Sequence, residues 1–278
     1  MNKTQLVQTA FRQLCGLSPY FFDRSLTIAA DTAPAVFARE ALRHIRHAES
    51  TGPDRDDVLQ FLAFAAPLVQ RSSSEFFQDL WALWEAGGKR EGFFVEFGAA
   101  SGKEKSNTYF LEKEMDWKGI VAEPNPNFVA SVRKHRSCFI SDKCVYSQSG
   151  ERIEFLATDV GELSRIASID PQDGHKRSDH TVVLVETVSL NDLLTEGHAP
   201  RDIDFLSIDT EGSEYEILSH LDFEKWKPRT IAVEHNRTKT RDRIFELLIH
   251  KGYRRKWPEM SCCDDWYVRG LASEAREF

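Results

Sequence analysis

The stretch Phe93-Phe94-Val95-Glu96-Phe97-Gly98-Ala99-Ala100-Ser101-Gly102 decides the fold. Its first five residues, mostly aromatic or β-branched, read as a buried strand. An acid stands near the strand's end, a loop of small residues follows, and a helical pattern runs on through Leu111. Small side chains let a ligand approach the backbone closely. The spacing is Gly98-x-x-x-Gly102, so the G-x-G-x-x-G dinucleotide fingerprint is not met. Taken alone, the loop serves equally as a plain tight turn between strand and helix.

Toward the C-terminus, short apolar runs alternate with helical patterns. Gly119–Ala122 is a second strand, followed by Pro124-Asn125-Pro126 and a helix from about Asn127. Cys138–Val145 and Arg152–Leu156 read as extended, with a turn at Gln148-Ser149-Gly150. Thr181–Val188, Ile203–Asp209 and Thr230–Glu234 read as strands, with helices around Tyr215–Leu221 and through Ile249. Tyr253–Trp257 and Trp266–Arg269 form a terminal hairpin. Such alternation predicts βαβ units and a mainly parallel sheet, which takes ligands beyond the carboxyl ends of its strands. The polar stretch Ala157–His180 is long for a connector and reads as a lid or an insertion.

Toward the N-terminus, residues 1–90 look helical, with no strand candidate. Phe37, Ala41, Ile45 and Ala48 fall at helical spacing, and a polar break follows at Glu49–Asp57. Val58–Val69 reads as a buried helix ending near Pro67. A capping box, Ser72-x-x-Glu75, opens a helix carrying Phe77, Leu80, Trp81 and Trp84, and Gly87-Gly88 stops it. Phe76, Phe77, Trp81 and Trp84 read as core in preference to a sugar-stacking platform. The region 1–90 is expected to be a helical cap over an acceptor site or a dimerisation surface, beside a main domain at 91–278.

Composition narrows the function. The chain has 278 residues, with 36 Lys+Arg against 44 Asp+Glu and a net charge of −8. That balance argues against nucleic acid as the main partner. The longest apolar run, Phe61–Val69, is too short for a membrane span and contains Pro67. No secretory signal opens the sequence. The five cysteines read as reduced thiols, which points to the cytoplasm. Cys262-Cys263-Asp264-Asp265 lacks zinc spacing and reads as a turn between the last two strands.

Three strand ends carry candidate chemistry. Glu123 closes the second strand, one helix downstream of Gly98, where an acid can accept hydrogen bonds from ribose hydroxyls; the bland alternative is an exposed carboxylate. Asp209 and Glu211 stand where Ile203–Asp209 ends, ahead of Gly212. Asp209 or Thr210 could simply cap the next helix, and for Glu214 a helix-dipole role is preferred. Glu234 and His235 close the following strand, with His235 a general base, a metal ligand or a hydrogen-bonded structural residue.

In chain order, VEFGAASG (Val95–Gly102), SNTYFLEKEMDWKGIVAEPNP (Ser106–Pro126), CVYSQSGERIEFL (Cys144–Leu156), DIDFLSIDTEGSEYEIL (Asp202–Leu218) and TIAVEHN (Thr230–Asn236) resemble the FkbM family of S-adenosylmethionine-dependent methyltransferases. The resemblance spans roughly residues 92–269. It implies an α/β fold of the class I methyltransferase, Rossmann-like type, with a seven-stranded, mostly parallel sheet and an N-terminal helical extension. It also implies O-methylation of a hydroxyl on a sugar, a glycan or a natural product.

By position, Glu96, Gly98, Ala99, Ser101 and Gly102 match the family's first cofactor loop. Ser106, Asn107 and Thr108 follow, at a helix start suited to the methionine carboxylate. Glu123 matches the ribose-binding acid, with Pro124 and Asn125 flanking the adenosine. The adenine is expected near Asp142, Cys144 and Val145, where Cys144-Val145-Tyr146-Ser147 replaces the family's frequent Ala-Leu-Ser-Asp. Asp209, Glu211 and Gly212 match an Asp-x-Glu-Gly motif that faces the cofactor.

Asp209 is the first candidate for the catalytic base and His235 the second, with Glu211 and Glu234 shaping the site. A version in which Asp209, Glu234 and His235 hold a divalent cation is not favoured, since neighbours on a strand point to opposite faces. The expected partners are S-adenosylmethionine and a carbohydrate or natural-product acceptor, with no nucleic acid and no membrane span. A homo-oligomer through the N-terminal helices is allowed. The competing readings are a nicotinamide-dependent oxidoreductase and a non-catalytic binding protein on the same fold.

Overall fold

Segments of three to eight residues, mostly apolar at the sheet's centre, become the strands of a central seven-stranded sheet. The structure is a computed structural model that describes residues 53–65, 67–158, 163–170, 180–258, 261 and 263–270. The helical spacing of Phe37 to Ala48 and residue Cys262 lie outside the described residues.

The chain runs through α1 (Pro53–Ala65), a 3₁₀ turn (Val69–Arg71) and α2 (Gln78–Glu85), then β1 (Phe93–Phe97), α3 (Tyr109–Met115) and β2 (Lys118–Ala122). Next come α4 (Pro126–His135), β3 (Phe139–Ser141), β4 (Cys144–Tyr146), β5 (Arg152–Thr158), β6 (Arg165–Ile166), β7 (His180–Ser189) and α5 (Leu190–Glu196). The last elements are β8 (Asp202–Ile208), α6 (Glu214–Ser219), β9 (Lys227–Glu234), α7 (Thr240–His250), β10 (Tyr253–Lys256) and β11 (Asp264–Arg269).

The sheet order is β10-β11-β9-β8-β1-β2-β3. Only β11 runs antiparallel to its neighbours, through the expected hairpin with β10. Strand order reverses at β1, which pairs with β2 on one side and β8 on the other. The carboxyl ends of β1, β2 and β8 therefore meet at the switch point.

Two-residue alternation splits the core between the sheet's faces. Phe94, Val121, Phe205, Ala232 and Trp266 pack on one face with α1 and α2. Val95, Ile120, Leu206, Val233 and Tyr267 pack on the other with Leu193, Ile217 and Leu248. On the first face, Trp81 stacks on Trp266 at 4.9 Å, and Phe61 lies 5.3 Å from Trp257. The described part of the N-terminal region thus shares one hydrophobic core with the sheet. The apolar face of α2 (Leu80, Trp81, Leu83) is spent inside its own chain.

Several local expectations change. The capping box fails: α2 starts at Gln78, while Ser72 Oγ donates to the buried Asp79 carboxylate at 2.7 Å and Glu75 pairs with Lys105 at 3.2 Å. Ser74 Oγ, not Ser72, accepts the Asp79 backbone N–H. The Gly87-Gly88 stop holds, with both residues at positive φ and their N–H groups returned to Trp84 and Leu83 carbonyls. The run Cys138–Val145 breaks into β3 and β4, which join different sheets. Periodicity overlooks a four-stranded sheet, β4-β7-β5-β6, and the helix α5, capped by Ser189. In the polar stretch 157–180, β5 runs on to Thr158 and β6 folds back against it.

Candidate functional site

Gly98 is where β1 ends and the loop turns, with φ +83°. A Cβ there would lie 1.6 Å from the Asp209 carbonyl oxygen, so the position excludes every side chain. The contact presses the loop after β1 against the end of β8, and Asp209 N donates to Phe97 O at 3.2 Å. Gly102, at φ +74°, faces the backbone of α4, where a Cβ would come 3.1 Å from the Val132 Cα.

Two cavities open at these strand ends. A narrow slot is lined by Phe97, Glu123, Pro124, Cys144, Val145 and Ile166. A wider cleft of about 240 Å³ is lined by Phe76, Gln78, Asn107, Glu234, Asn236 and Asp264. Gly98, Asp209 and Glu211 line both.

Glu123 sits at the slot with its carboxylate buried. Oε2 accepts the Ala100 N–H at 2.7 Å and Oε1 the Asn125 N–H at 2.8 Å. Burial pushes its pKa up to about 7 against those two hydrogen bonds. Each oxygen keeps a lone pair for a further donor. Burial also pushes the Cys144 thiol up to about 12, so it lines the slot as an inert, neutral group.

Asp209, Glu211 and Glu234 bring carboxylate oxygens within 4.8 Å of one another. Asp209 and Glu234 are hydrogen-bonded side chain to side chain, and both carboxyls are held well above their usual range. Burial is the main cause for each, followed by the charge of neighbouring carboxylates. The hydrogen bond favours the ionised form of Asp209 and the protonated form of Glu234. Glu211 reaches the cluster through a left-handed backbone, φ 56°. Glu214 instead folds back onto the loop, accepting from Thr210 N, Thr210 Oγ1 and Gly212 N at 2.9–3.0 Å.

His235 does not join the cluster. Its Nδ1 accepts the Arg237 N–H at 2.8 Å and its Nε2 lies 3.1 Å from the Asp264 carbonyl oxygen. The first bond makes Nδ1 the acceptor, so Nε2 carries the proton and no lone pair is left for substrate or metal. Burial lowers its pKa to about 4. The expected roles of base and ligand are corrected to a structural one, and Glu211 takes its place in the three-carboxylate cluster. The reason is the strand pleat: Glu234 turns to the cleft and its neighbour turns away. The Cys263 carbonyl, in the turn before β11, accepts the His235 and Asn236 N–H groups at 2.8 and 3.2 Å.

Glu96, Ser106 and Thr108 face one another behind the loop. Glu96 accepts from Ser106 Oγ at 2.8 Å, Asn107 N at 2.6 Å and Thr108 Oγ1 at 2.6 Å. The donors proposed for a methionine carboxylate thus already hold a carboxylate of the chain itself. Arg136 completes the group, contacting Glu96 at 3.1 Å and Glu112 at 2.5 Å. Its 3.1 Å contact with Ser106 Oγ and 2.7 Å bond to Thr108 Oγ1 tie α4 to the same knot. Asn107 differs: Nδ2 donates to Ser207 Oγ at 3.0 Å, while Oδ1 is buried without a partner at the cleft wall.

Three other expected contacts lie elsewhere. Asp142 is on the surface, paired with Arg133 at 2.9 Å, and outside the slot. Asn125 is buried, capping α4 and donating to Thr158 O and Ser164 Oγ at 2.9 Å. Ser101 Oγ accepts the Glu104 N–H at 3.1 Å, closing the loop on itself. Arg136 and Gln78 went unnoticed in the sequence, since neither carries a spacing signal; Phe76, read there as core, instead stands partly buried at the cleft wall, while Phe77 takes the core position.

These features define a Rossmann-like α/β protein with the seven-stranded sheet of class I methyltransferases. The Methyltransferase FkbM domain matches residues 96–255, more than half of the chain, which belongs to that family and is a methyltransferase. Among solved structures, the chain is similar to precorrin-6y C5,15-methyltransferase from Geobacter metallireducens GS-15. That similarity is at 15% identity and a TM-score of 0.36, covering 64% of this chain and 71% of that one. No curated protein matches significantly. Among the described residues, no helix is long and apolar enough to cross a membrane.

Proposed function

We propose that this protein transfers a methyl group from S-adenosylmethionine to a hydroxyl of a carbohydrate or natural-product acceptor. The observation that carries the reading is the shared wall: slot and cleft meet at Gly98, Asp209 and Glu211. A two-substrate transfer needs two adjoining sites whose contents touch at one point.

The residues suit the donor. The slot pairs apolar walls (Phe97, Val145, Ile166) with one buried carboxylate, Glu123, whose spare lone pairs can accept ribose hydroxyls. The orphaned Oδ1 of Asn107 is an acceptor, so it suits the donor's ammonium rather than its carboxylate. When bound, the cofactor supplies a methyl group activated on a sulfonium cation. The carboxylates of Asp209 and Glu211 favour positive charge beside them.

The chain's own task is then deprotonation. A sugar hydroxyl is a weak acid, and a positioned base contributes about 10²–10⁴-fold. Asp209 takes the acceptor proton, while Glu234, protonated, holds Asp209 in place. The same three carboxylates are suited to a divalent cation, but the reading does not require one.

Calorimetry tests the donor. S-adenosylhomocysteine should bind and NAD should not; no heat with S-adenosylhomocysteine removes the reading. With labelled S-adenosylmethionine, Asp209→Asn should lose about 10²–10⁴ in kcat and retain S-adenosylhomocysteine affinity.

A further inference from the structure

The outer wall of the cleft comes from residues ahead of the family match at 96–255. Glu75, Phe76 and Gln78 stand there, facing Asp209, Glu211 and Glu234. Segment 72–77 forms no helix, yet it is pinned along its length. Ser72 Oγ and Ser73 N bind the Asp79 carboxylate at 2.7 and 3.1 Å. Ser73 Oγ donates to Ser106 O at 2.8 Å, and Ser74 bridges to Lys105 as a parallel β-bridge. Both contacts tie the segment to the stretch that follows the cofactor loop.

Gln78 closes the far end. Its Nε2 donates to Asp264 Oδ2 at 2.8 Å and its Oε1 accepts the Phe76 N–H at 3.0 Å. Phe77 between them is left-handed, φ 63°, a conformation uncommon for a bulky residue. That turn sends two consecutive rings opposite ways. Phe77 enters the core at 2% exposure, while Phe76 is only partly buried and lines the cleft. Backbone in such a region persists only where its surroundings over-determine it, and these places cluster at ligand sites. Phe76 supplies the one aromatic ring among the described residues of a wall otherwise rich in carboxylates and amides.

We propose that Phe76 is a specificity-determining residue for the acceptor, and that Gln78 is a positioning residue that holds its backbone. This rests on the methyl-transfer reading above. The ring offers a flat apolar face to the carbon face of a sugar or polycyclic acceptor, and the surrounding polar groups take its hydroxyls. The acceptor pocket is thus built partly by a segment outside the matched domain.

The test uses the full chain, labelled S-adenosylmethionine and a panel of methyl hexosides, methyl 6-deoxyhexosides and flavonoids. Phe76→Ala should raise the acceptor KM about tenfold, with kcat within about twofold. The affinity for S-adenosylhomocysteine and the melting temperature should stay at wild-type values. Phe76→Tyr should restore the KM. Gln78→Leu should raise the KM as well and reorder the preferred acceptors. An acceptor KM unmoved by Phe76→Ala overturns the proposal. So does a wild-type protein that binds S-adenosylhomocysteine and methylates no member of the panel. Absence of S-adenosylhomocysteine binding is a separate outcome, and it removes the methyl-transfer reading itself.

Discussion

Replacing Arg136 by methionine tests whether the cofactor loop is held from behind. The Arg136 side chain is 0% exposed, and it serves two carboxylates, Glu96 and Glu112, that are 4% and 6% exposed. It also donates to Gly102 O at 3.3 Å and Thr108 Oγ1 at 2.7 Å. Although burial pushes the Glu112 carboxyl up, Arg136 and its hydrogen bonds hold it below its usual value. Methionine keeps most of the volume and removes every guanidinium donor, leaving the buried Glu96 with neutral donors alone and Glu112 with Lys113 as its remaining cation. Breaking a buried pair from one side costs about 3–5 kcal/mol, and the double service places Arg136→Met near the upper figure. For a chain of this size each kcal/mol lowers the melting temperature by about 2 °C, so a fall of about 10 °C is expected. Urea unfolding followed by circular dichroism should show a lower midpoint at unchanged slope. Because Arg136 secures Gly102 and Thr108, S-adenosylhomocysteine should bind more weakly too. Adding Glu96→Gln and Glu112→Gln to Arg136→Met should recover part of the loss, with a coupling of about 1–3 kcal/mol. A loss below about 1 kcal/mol, or effects that simply add, would refute the reasoning.

Other outcomes follow from the same geometry. Gly98→Ala drives a Cβ to 1.6 Å from the Asp209 carbonyl, so it should abolish calorimetric binding of S-adenosylhomocysteine and lower the melting temperature. Wild-type affinity in that variant would show that the loop moves freely. Glu123 is raised from 4.5 to about 7 in the folded state, so its contribution to stability is full below about pH 4.5 and is lost as pH rises through about 7. Denaturation across that window should therefore show a slope that Glu123→Gln removes. His235, lowered from 6.5 to about 4, should stay neutral and Nε2-protonated above pH 5 by ¹⁵N-edited NMR. A titration near 6.5 would return it to the list of bases. Removing divalent cations with a chelator should leave turnover intact if Asp209 works as a proton acceptor alone; lost turnover restored by magnesium would give the carboxylates a metal.

Much of the fold was readable because its signals are local. Phe93–Phe97 is the strand the sequence predicts, since a short apolar run between turn residues leaves little choice of conformation. The strand ends bearing Glu123, Asp209 and Glu234 were placed by the same logic. The capping box at Ser72 failed because a buried carboxylate, Asp79, attracted the donors instead. The four-stranded sheet was hidden because β4 and β6 are only three and two residues long, too short for periodicity to register.

The site divides in the same way. That the chain turns in a small-residue loop after β1 and that an acid closes β2 are properties of one turn and one strand, and the order of residues determines both; that Gly98 admits no side chain at all is decided by the Asp209 carbonyl at the end of β8. Whether Glu211 or His235 joins Asp209 and Glu234 depends on how two loops bend beyond their strands. Whether Glu96 meets a ligand or Arg136 depends on a helix forty residues further on. Phe76 reads as core by its place in an aromatic stretch, and it lines the cleft because the residues around it come from the ends of β8, β9 and β11. Local sterics and periodicity act between chain neighbours, so sequence carries them openly; the pairing of buried charges is set by which distant segments the core brings within hydrogen-bond reach, and that is decided only when the sheet has closed.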